Sequence, residues 1–545
     1  MTTGKPSSTG WRAAGLFSLA LAGTAWAQTP AATASAAAVE PQVQVNAFKV
    51  DGATLIDATR LQTVLTPWHG QRSLSELRQA AMAVQAAYTA AGYGAVVAYL
   101  PPQPVQDGVV TISVLEGRIG QVTVRGARRQ TEAQVRAALP SLIEGATPRV
   151  RRIDAELQIA NENPSRQVGV LLGPGALPGQ VEATVTVEEQ QVQRWNLALD
   201  NSGNARTGHY RASAGWQHAD LSGHDDVLSV QWQTSPTDFN AVQVVSAGYR
   251  LPVVRWLSAL DLFAAYSNVD GGLTPTTAGN LSFTGKGRIF GARSIWYLPR
   301  VGEYDQRLTV GLELRDYLNN CAISGLPAGA CGPAGESVAV HPLSLEYAAQ
   351  TGGAVAAGLN VSLAHNLALG GKHGDAANFQ SVRLGARTRY TVLRASANVS
   401  LPVFEDWALA GRLALQHTDS RLVPGEQFGL GGAASVRGYQ EREVAGDRGL
   451  LLSLELISPK LWAAPQAGGT ELRLLGFVDA GEVANRDATA CSGQHTRCRL
   501  ASVGVGARVS YGGLQFKLYV ARALEDAIDT HRNDWRAHAA LNFSF

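Results

Sequence analysis

The chain has 545 residues, enough for more than one domain, and its 46 lysines and arginines against 44 aspartates and glutamates leave a formal charge of only +2. That balance removes the broad electrostatic basis for nucleic-acid binding. With 58 glycines and a mean hydropathy of −0.04, the composition is odd for a helical membrane protein and suits a barrel whose strands turn apolar residues outward and polar ones inward.

Lys5 and Arg12 precede an uncharged, mostly apolar run from Ala13 to Ala25, and Ala25-Trp26-Ala27 is an A-x-A cleavage site, so residues 1–27 are expected to be a secretory signal peptide. The run is too short for a spanning helix, which needs about 20 apolar residues, and no later stretch reaches that length. Residues 28–42 read as an Ala/Pro linker.

A small mixed module is expected at 43–118. Val43 to Val50 reads as a strand and Asp57 to Leu65 as a short helix. Ser73 with Glu76 forms a capping box for a helix reaching about Ala91, with Leu74, Leu77, Ala81, Val84 and Tyr88 on its buried face and Gly92 as its stop. Ala95 to Leu100 and Val109 to Leu115 complete a β-α-α-β-β order. The pattern repeats over 119–190: a strand at Gln121 to Arg125, helices at Thr131 to Leu139 and Ile153 to Asn161, and strands at Val168 to Leu172 and Val181 to Glu188. Each module is about the size for one small sheet carrying two helices.

From residue 191 to 545 two-residue alternation replaces helical periodicity. Leu308, Val310, Leu312 and Leu314 alternate with Thr309, Gly311, Glu313 and Arg315. Leu514, Phe516, Leu518 and Val520 alternate with Gln515, Lys517 and Tyr519. Charged residues such as Glu313 and Lys517 on the inward set suit a wet lumen and not the dry core of a sandwich. At roughly 20 residues per strand and connection, this region makes an antiparallel transmembrane barrel with an even number of strands, predicted as sixteen. The last strand carries Ala537, Ala539, Leu541, Phe543 and Phe545 on one face and ends on the aromatic.

Two motifs within the barrel region pair naturally. Val436-Arg437-Gly438-Tyr439 follows the Gly-rich stretch Phe428 to Gly432, and Phe477-Val478-Asp479-Ala480-Gly481 lies in an alternating run. An arginine on a flexible loop and an aspartate on a wall are partners for a charge-assisted, bidentate hydrogen bond. The four cysteines form close pairs in turn-rich segments, Cys321 with Cys331 and Cys491 with Cys498, and in an exported chain two local disulfides are expected. A metal site is the sharper alternative, but only His495 lies inside either pair. Gly279 to Lys286 fails as a phosphate loop, and neither H-E-x-x-H nor G-x-S-x-G occurs, so no enzyme, cofactor or metal is expected.

The pair resembles the lumen lock of outer-membrane transporters that carry periplasmic POTRA (polypeptide-transport-associated) domains. Leu115-Glu116-Gly117-Arg118-Ile119 resembles the junction between the two POTRA domains of two-partner secretion transporters of the hemolysin-activator and filamentous-hemagglutinin type. Asn161-x-x-Pro164-x-Arg166, with Gly173-Pro174-Gly175, resembles their second POTRA domain, and Leu199-Asp200-Asn201-Ser202-Gly203 with Thr207-Gly208 resembles their first barrel strand and turn. The terminal Phe543 and Phe545 resemble the strand signal read by barrel-assembly machinery. The linker departs from the family's plug helix, being shorter and richer in Ala and Pro. The resemblance implies an outer-membrane pore with periplasmic POTRA domains that captures an unfolded exoprotein client and moves it to the surface without nucleotide hydrolysis. The implied partners are that client, the barrel-assembly machinery and outer-membrane lipids, with no nucleic acid. Arg437 would meet Asp479 on the inner wall with Phe477 and Tyr439 packing nearby. A barrel-assembly insertase is the alternative, although such proteins carry more POTRA domains. A passive porin would explain neither the modules nor the loop motif.

Overall fold

The computed structural model describes residues 40–204, 207–268, 272–276, 279–283, 285–318, 336–463, 469–488, 490–491 and 495–545. The expected signal peptide, nearly all of the linker and the Cys321–Cys331 pair lie outside the described residues.

In the first module, Ala47–Asp51 runs parallel to Val109–Glu116, which pairs antiparallel with Val96–Tyr99. Helices α1 (Ala58–Leu65) and α2 (Leu74–Ala90) cover this sheet. The single strand expected at 43–50 is two strands: Gln42–Val45 pairs instead with Gly70–Ser73, and the break falls at Asn46, whose N–H donates to the Gly108 carbonyl at 2.7 Å. The Ser73–Glu76 capping box forms. Leu74, expected on the buried face, is 46% exposed, because the packed stripe of α2 begins a turn later at Leu77.

The second sheet has the same order. Arg118–Arg125 runs parallel to Gln180–Glu189, which pairs antiparallel with Arg166–Pro174, under α3 (Glu132–Ala138) and α4 (Val150–Asn161). The two sheets share a device at the end of their first strand. Gly52 and Gly126 have φ of +81° and +85°, and a Cβ on either would stand 2.3 Å from a carbonyl of the parallel partner, Val114 or Val187. Two residues beyond that carbonyl a glutamate catches the loop that follows the glycine. Glu116 accepts from the N–H groups of Thr54 at 2.7 Å and Leu55 at 2.9 Å, from the Thr54 hydroxyl, and from the Tyr88 hydroxyl at 2.8 Å. Glu189 accepts from the N–H groups of Arg128 and Arg129 at 2.9 Å and Gln130 at 3.0 Å. Burial pushes the Glu116 carboxyl up, but hydrogen bonds from Thr54, Tyr88 and Leu55 outweigh it and hold the group below the ordinary carboxylate value.

The remainder is a closed barrel of sixteen antiparallel strands among the described residues, two of them interrupted: Val338–Val340 continues as Pro342–Thr351, and Arg448–Ile457 as Trp462–Ala463. Trp535–Ser544 returns to pair with Gln193–Asp200 and removes both edges. Leu450, Leu452, Leu454 and Leu456 face outward and are exposed, whereas Leu451, Ser453, Glu455 and Ile457 face in. Exposed aromatics Trp256, Tyr304, Phe404, Tyr511 and Phe545 stand at the rim nearest the modules, as an interfacial girdle does.

Helix α4 docks on that rim. Ile159 packs with Ala259, Ile295 and Tyr297, and Glu162 pairs with Arg250 and with Arg307 at 2.9 Å. Arg166 of the second module holds Asp225 of the first near-end barrel turn at 2.7 Å. At the opposite end, the short helix α5 (Ala376–Val382), which sequence periodicity did not show, buries Phe379 against Val340, Tyr390 and Leu422.

Two predictions follow from the shared device. A carboxylate held below its free value stabilises the fold above about pH 4.5 and ceases to as pH falls through its lowered folded value. Glu116→Gln therefore lowers hydrogen-exchange protection of 54–65 at pH 7 and flattens its decline on acidification. Gly126→Ala forces a left-handed alanine against a carbonyl and destabilises the second module by about 1–3 kcal/mol, measured by the same exchange.

Candidate functional site: a loop held inside the barrel

The segment 419–447 joins Trp407–Thr418 to Arg448–Ile457 at the barrel end away from the modules. It folds inward. Its short hairpin, Phe428–Leu430 with Val444–Gly446, brings Leu430, Val436, Tyr439 and Val444 against the wall residues Leu451, Val483 and Leu500. Gly481 makes the approach possible, since a Cβ there would lie 2.7 Å from Leu430 Cδ1.

Arg437 at the tip is 3% exposed and Asp479 is 0% exposed. Arg437 Nε and Nη2 donate to the two Asp479 oxygens at 2.7 Å each, and the Arg437 backbone N–H adds a third bond at 3.1 Å. Nη1 donates to Glu455 at 2.6 Å, and Nη2 also to Ser453 Oγ at 3.2 Å. Ser453 in turn donates to Asp479 at 2.6 Å. The guanidinium plane lies 3.5 Å from the Phe477 ring centroid, a cation–π contact of about 1–2 kcal/mol when desolvated. Every guanidinium nitrogen is thus engaged, a pattern that lysine cannot reproduce.

The neighbouring motif residues fix the same pose. Gly438 N–H donates to His538 Nε2 at 3.0 Å. Tyr439 lies in the Leu430–Val444 cluster, its hydroxyl 2.9 Å from the carbonyls of Ala501 and Glu525. Phe477, under the Arg437 guanidinium, also meets Tyr519 edge-on at 6.0 Å. Cys491 and Cys498 form a disulfide beside this cluster. Phe543 and Phe545 face outward with rings 5.1 Å apart, and the Phe545 backbone bonds Trp195 at 2.8 and 3.0 Å across the closing seam.

Two anchors of the loop stem escaped sequence reasoning. Buried Glu426 accepts from Arg315 at 2.7 Å, the Tyr317 hydroxyl at 2.8 Å and Arg394 at 3.3 Å. Buried Asp447 is clamped by Arg383 and by the N–H groups of Leu422 at 3.0 Å and Arg486 at 2.8 Å. Inward Glu313 is set between Arg293 and Arg315, each with a contact of 2.7 Å.

Residues 179–509 match the family model of the haemolysin secretion/activation protein ShlB/FhaC/HecB, and residues 43–117 match the POTRA domain of ShlB type. The chain belongs to the ShlB/FhaC/HecB family. It is 25% identical over 464 residues to the outer membrane transporter CdiB of Dickeya dadantii, covering 83% of this chain and 79% of that one. It is 27% identical over 165 residues to the heme/hemopexin transporter protein HuxB of Haemophilus influenzae, covering 30% and 29%. Its fold is that of CdiB from Escherichia coli, with a TM-score of 0.74 at 21% identity over 95% of this chain and 93% of that one. The protein is an outer-membrane two-partner secretion transporter, a family whose POTRA domains are periplasmic and whose transport serves an exoprotein. The module end of the barrel therefore faces the periplasm, and the loop at 419–447 enters from the cell-surface side.

Breaking a buried pair leaves its partner charged and desolvated, at about 3–5 kcal/mol. Asp479→Ala is accordingly expected to lower the temperature at which the folded barrel band is lost in a heat-modifiability gel. Arg437→Lys should lower it nearly as far.

Proposed function

We propose that residues 43–118 and 119–190 are two periplasmic POTRA domains that capture an unfolded exoprotein, and that residues 191–545 form the pore through which it reaches the surface after removal of a 1–27 signal. Main-chain hydrogen bonding to an exposed sheet edge gives affinity with little demand on client sequence, which suits an extended, unfolded segment. The barrel itself is placed in the outer membrane by assembly machinery that reads the Phe543–Phe545 strand, with lipid against its apolar face.

The observation that carries the mechanism is the burial of Arg437 against Asp479, Glu455 and Ser453. A loop held by one many-toothed side chain has one defined resting pose, and it can leave only by breaking that contact as a unit. We infer that this latch holds the loop across the resting lumen and gives way when a client enters. Folding of the client outside, and not nucleotide hydrolysis by this chain, then supplies the direction.

Deletion of the gene should abolish appearance of the cognate exoprotein in the culture supernatant while leaving other outer-membrane barrels at normal abundance. Depleted barrels with unchanged secretion would instead establish an insertase. Arg437→Ala and Asp479→Ala should each impair secretion, and the double variant should be little worse than either. Additive losses would remove the latch from the mechanism.

A further inference from the structure

Inside the barrel, one arginine facing the latch has an unmet donor. Arg412 projects from Trp407–Thr418, where it registers with Ser453, and Ser453 registers with Asp479 on the next strand. Arg412, Ser453 and Asp479 therefore form one rung of the inner wall. Two strand spacings separate Arg412 from Asp479, about 10 Å between Cα atoms, a gap that an extended arginine and an aspartate close together. Nevertheless Arg412 makes no ion pair among the described residues, and its buried Nε has no hydrogen-bond partner. Its Nη2 instead donates to the carbonyl of Ser435 at 3.3 Å, two residues from Arg437 on the same loop.

The geometry has a direct consequence. Withdrawal of the loop takes Arg437 from Asp479 and takes the Ser435 carbonyl from Arg412 in the same movement. A carboxylate that has lost its partner and an arginine that has lost its acceptor are then left on one rung. The charge count favours their union: with the loop in place, Arg412, Arg437 and Arg508 face Asp479 and Glu455, and Glu455 already holds Arg508 at 2.6 Å. With Arg437 gone, two cations face two carboxylates.

We propose that Arg412 is a positioning residue that replaces Arg437 on Asp479 when the loop leaves, so that Asp479 keeps a cation partner in the open pore. This rests on the latch reading above. Without Arg412, Asp479 exchanges the Arg437 contact for lumen water alone; with it, opening exchanges one charge-assisted contact for another.

Planar-bilayer recording of the full-length protein in potassium chloride tests the exchange, alongside secretion and heat-modifiability of the same variants. Arg412→Ala is expected to keep the heat-modifiability of the wild type while lowering open probability about tenfold, the effect of a coupling at the low end of the usual range, with secretion falling in parallel. Arg412→Lys, which keeps the charge, should recover part of the loss. Arg437→Ala should act in the opposite sense on open probability. Wild-type gating in Arg412→Ala, with Arg437→Ala still altered, overturns the proposal and leaves the latch standing. Raised open probability in Arg412→Ala also overturns it, since Arg412 would then belong to the closed state. If Arg437→Ala changes neither conductance nor secretion, it is the latch that fails.

Discussion

A guanidinium buried in a barrel must find acceptors in every direction, and Arg437 finds them all on one stretch of wall. Asp479 takes two of its side-chain donors and its own backbone N–H, Glu455 takes a third donor, and Ser453 and the face of Phe477 complete the seat. Such a pair adds little net stability over a well-packed apolar alternative, because desolvation of both charges offsets most of the attraction. What it does add is a defined pose, since the other loop arginines are engaged elsewhere, Arg421 on Asp487 and Arg442 on the Pro424 and Gln427 carbonyls. The small residues around it follow from this requirement: Gly481 admits Leu430, and Gly504 admits the Phe477 ring, whose Cζ would stand 2.4 Å from a Cβ there.

The stem of the loop is governed by the same constraint. Glu426 and Asp447 are buried carboxylates on either side of the inserted hairpin, each surrounded by arginines or backbone N–H groups from the surface-side elements. The loop is therefore pinned at both ends of its stem and at its tip, with apolar contacts between. A tip that releases while the stem stays fixed moves as a flap on a hinge, which agrees with a conduit that opens without dismantling the barrel.

Much of this was legible in the chain. Alternation over 191–545 marks the strands because a wall between lipid and water imposes opposite chemistry on successive residues, as in Leu450 to Ile457. The capping box at Ser73 marks a helix start because orphan N–H groups need acceptors close in sequence, and the structure adds a second box of Thr131 with Gln134. The Arg437–Asp479 pair could be paired from motif alone because each residue type needs the other. Glu426, Asp447 and Arg412 could not be placed, since their partners are 20 or more residues away on other strands, loops and helix ends, and no local pattern records the contact. Helix α5 was hidden for a related reason: seven residues are too few to show a period, and its stability comes from Phe379 in a tertiary cluster. The Gly52–Glu116 and Gly126–Glu189 devices were readable only in retrospect, as V-x-G at the end of the first strand and V-x-E at the end of the last.

The periplasmic helix and the luminal loop occupy different parts of one charged lining. Glu162, at the C-terminal cap of α4, shares Arg250 with Asp261, and Asp261 registers directly with Arg293. Arg293 holds Glu313, Glu313 holds Arg315, and Arg315 holds Glu426 in the loop stem. Arg250 thus spans two acidic groups, holding Asp261 through Nε and Nη2 and Glu162 through Nη1. A barrel lined with apolar residues would have no such pairing, as dispersion contacts are indifferent to partner. The inward-facing charges thus do two things that hydrophobic packing would not: they keep the lumen wet enough for an extended polypeptide, and they set ion pairs along the lining from the docking rim of the second module to the loop stem.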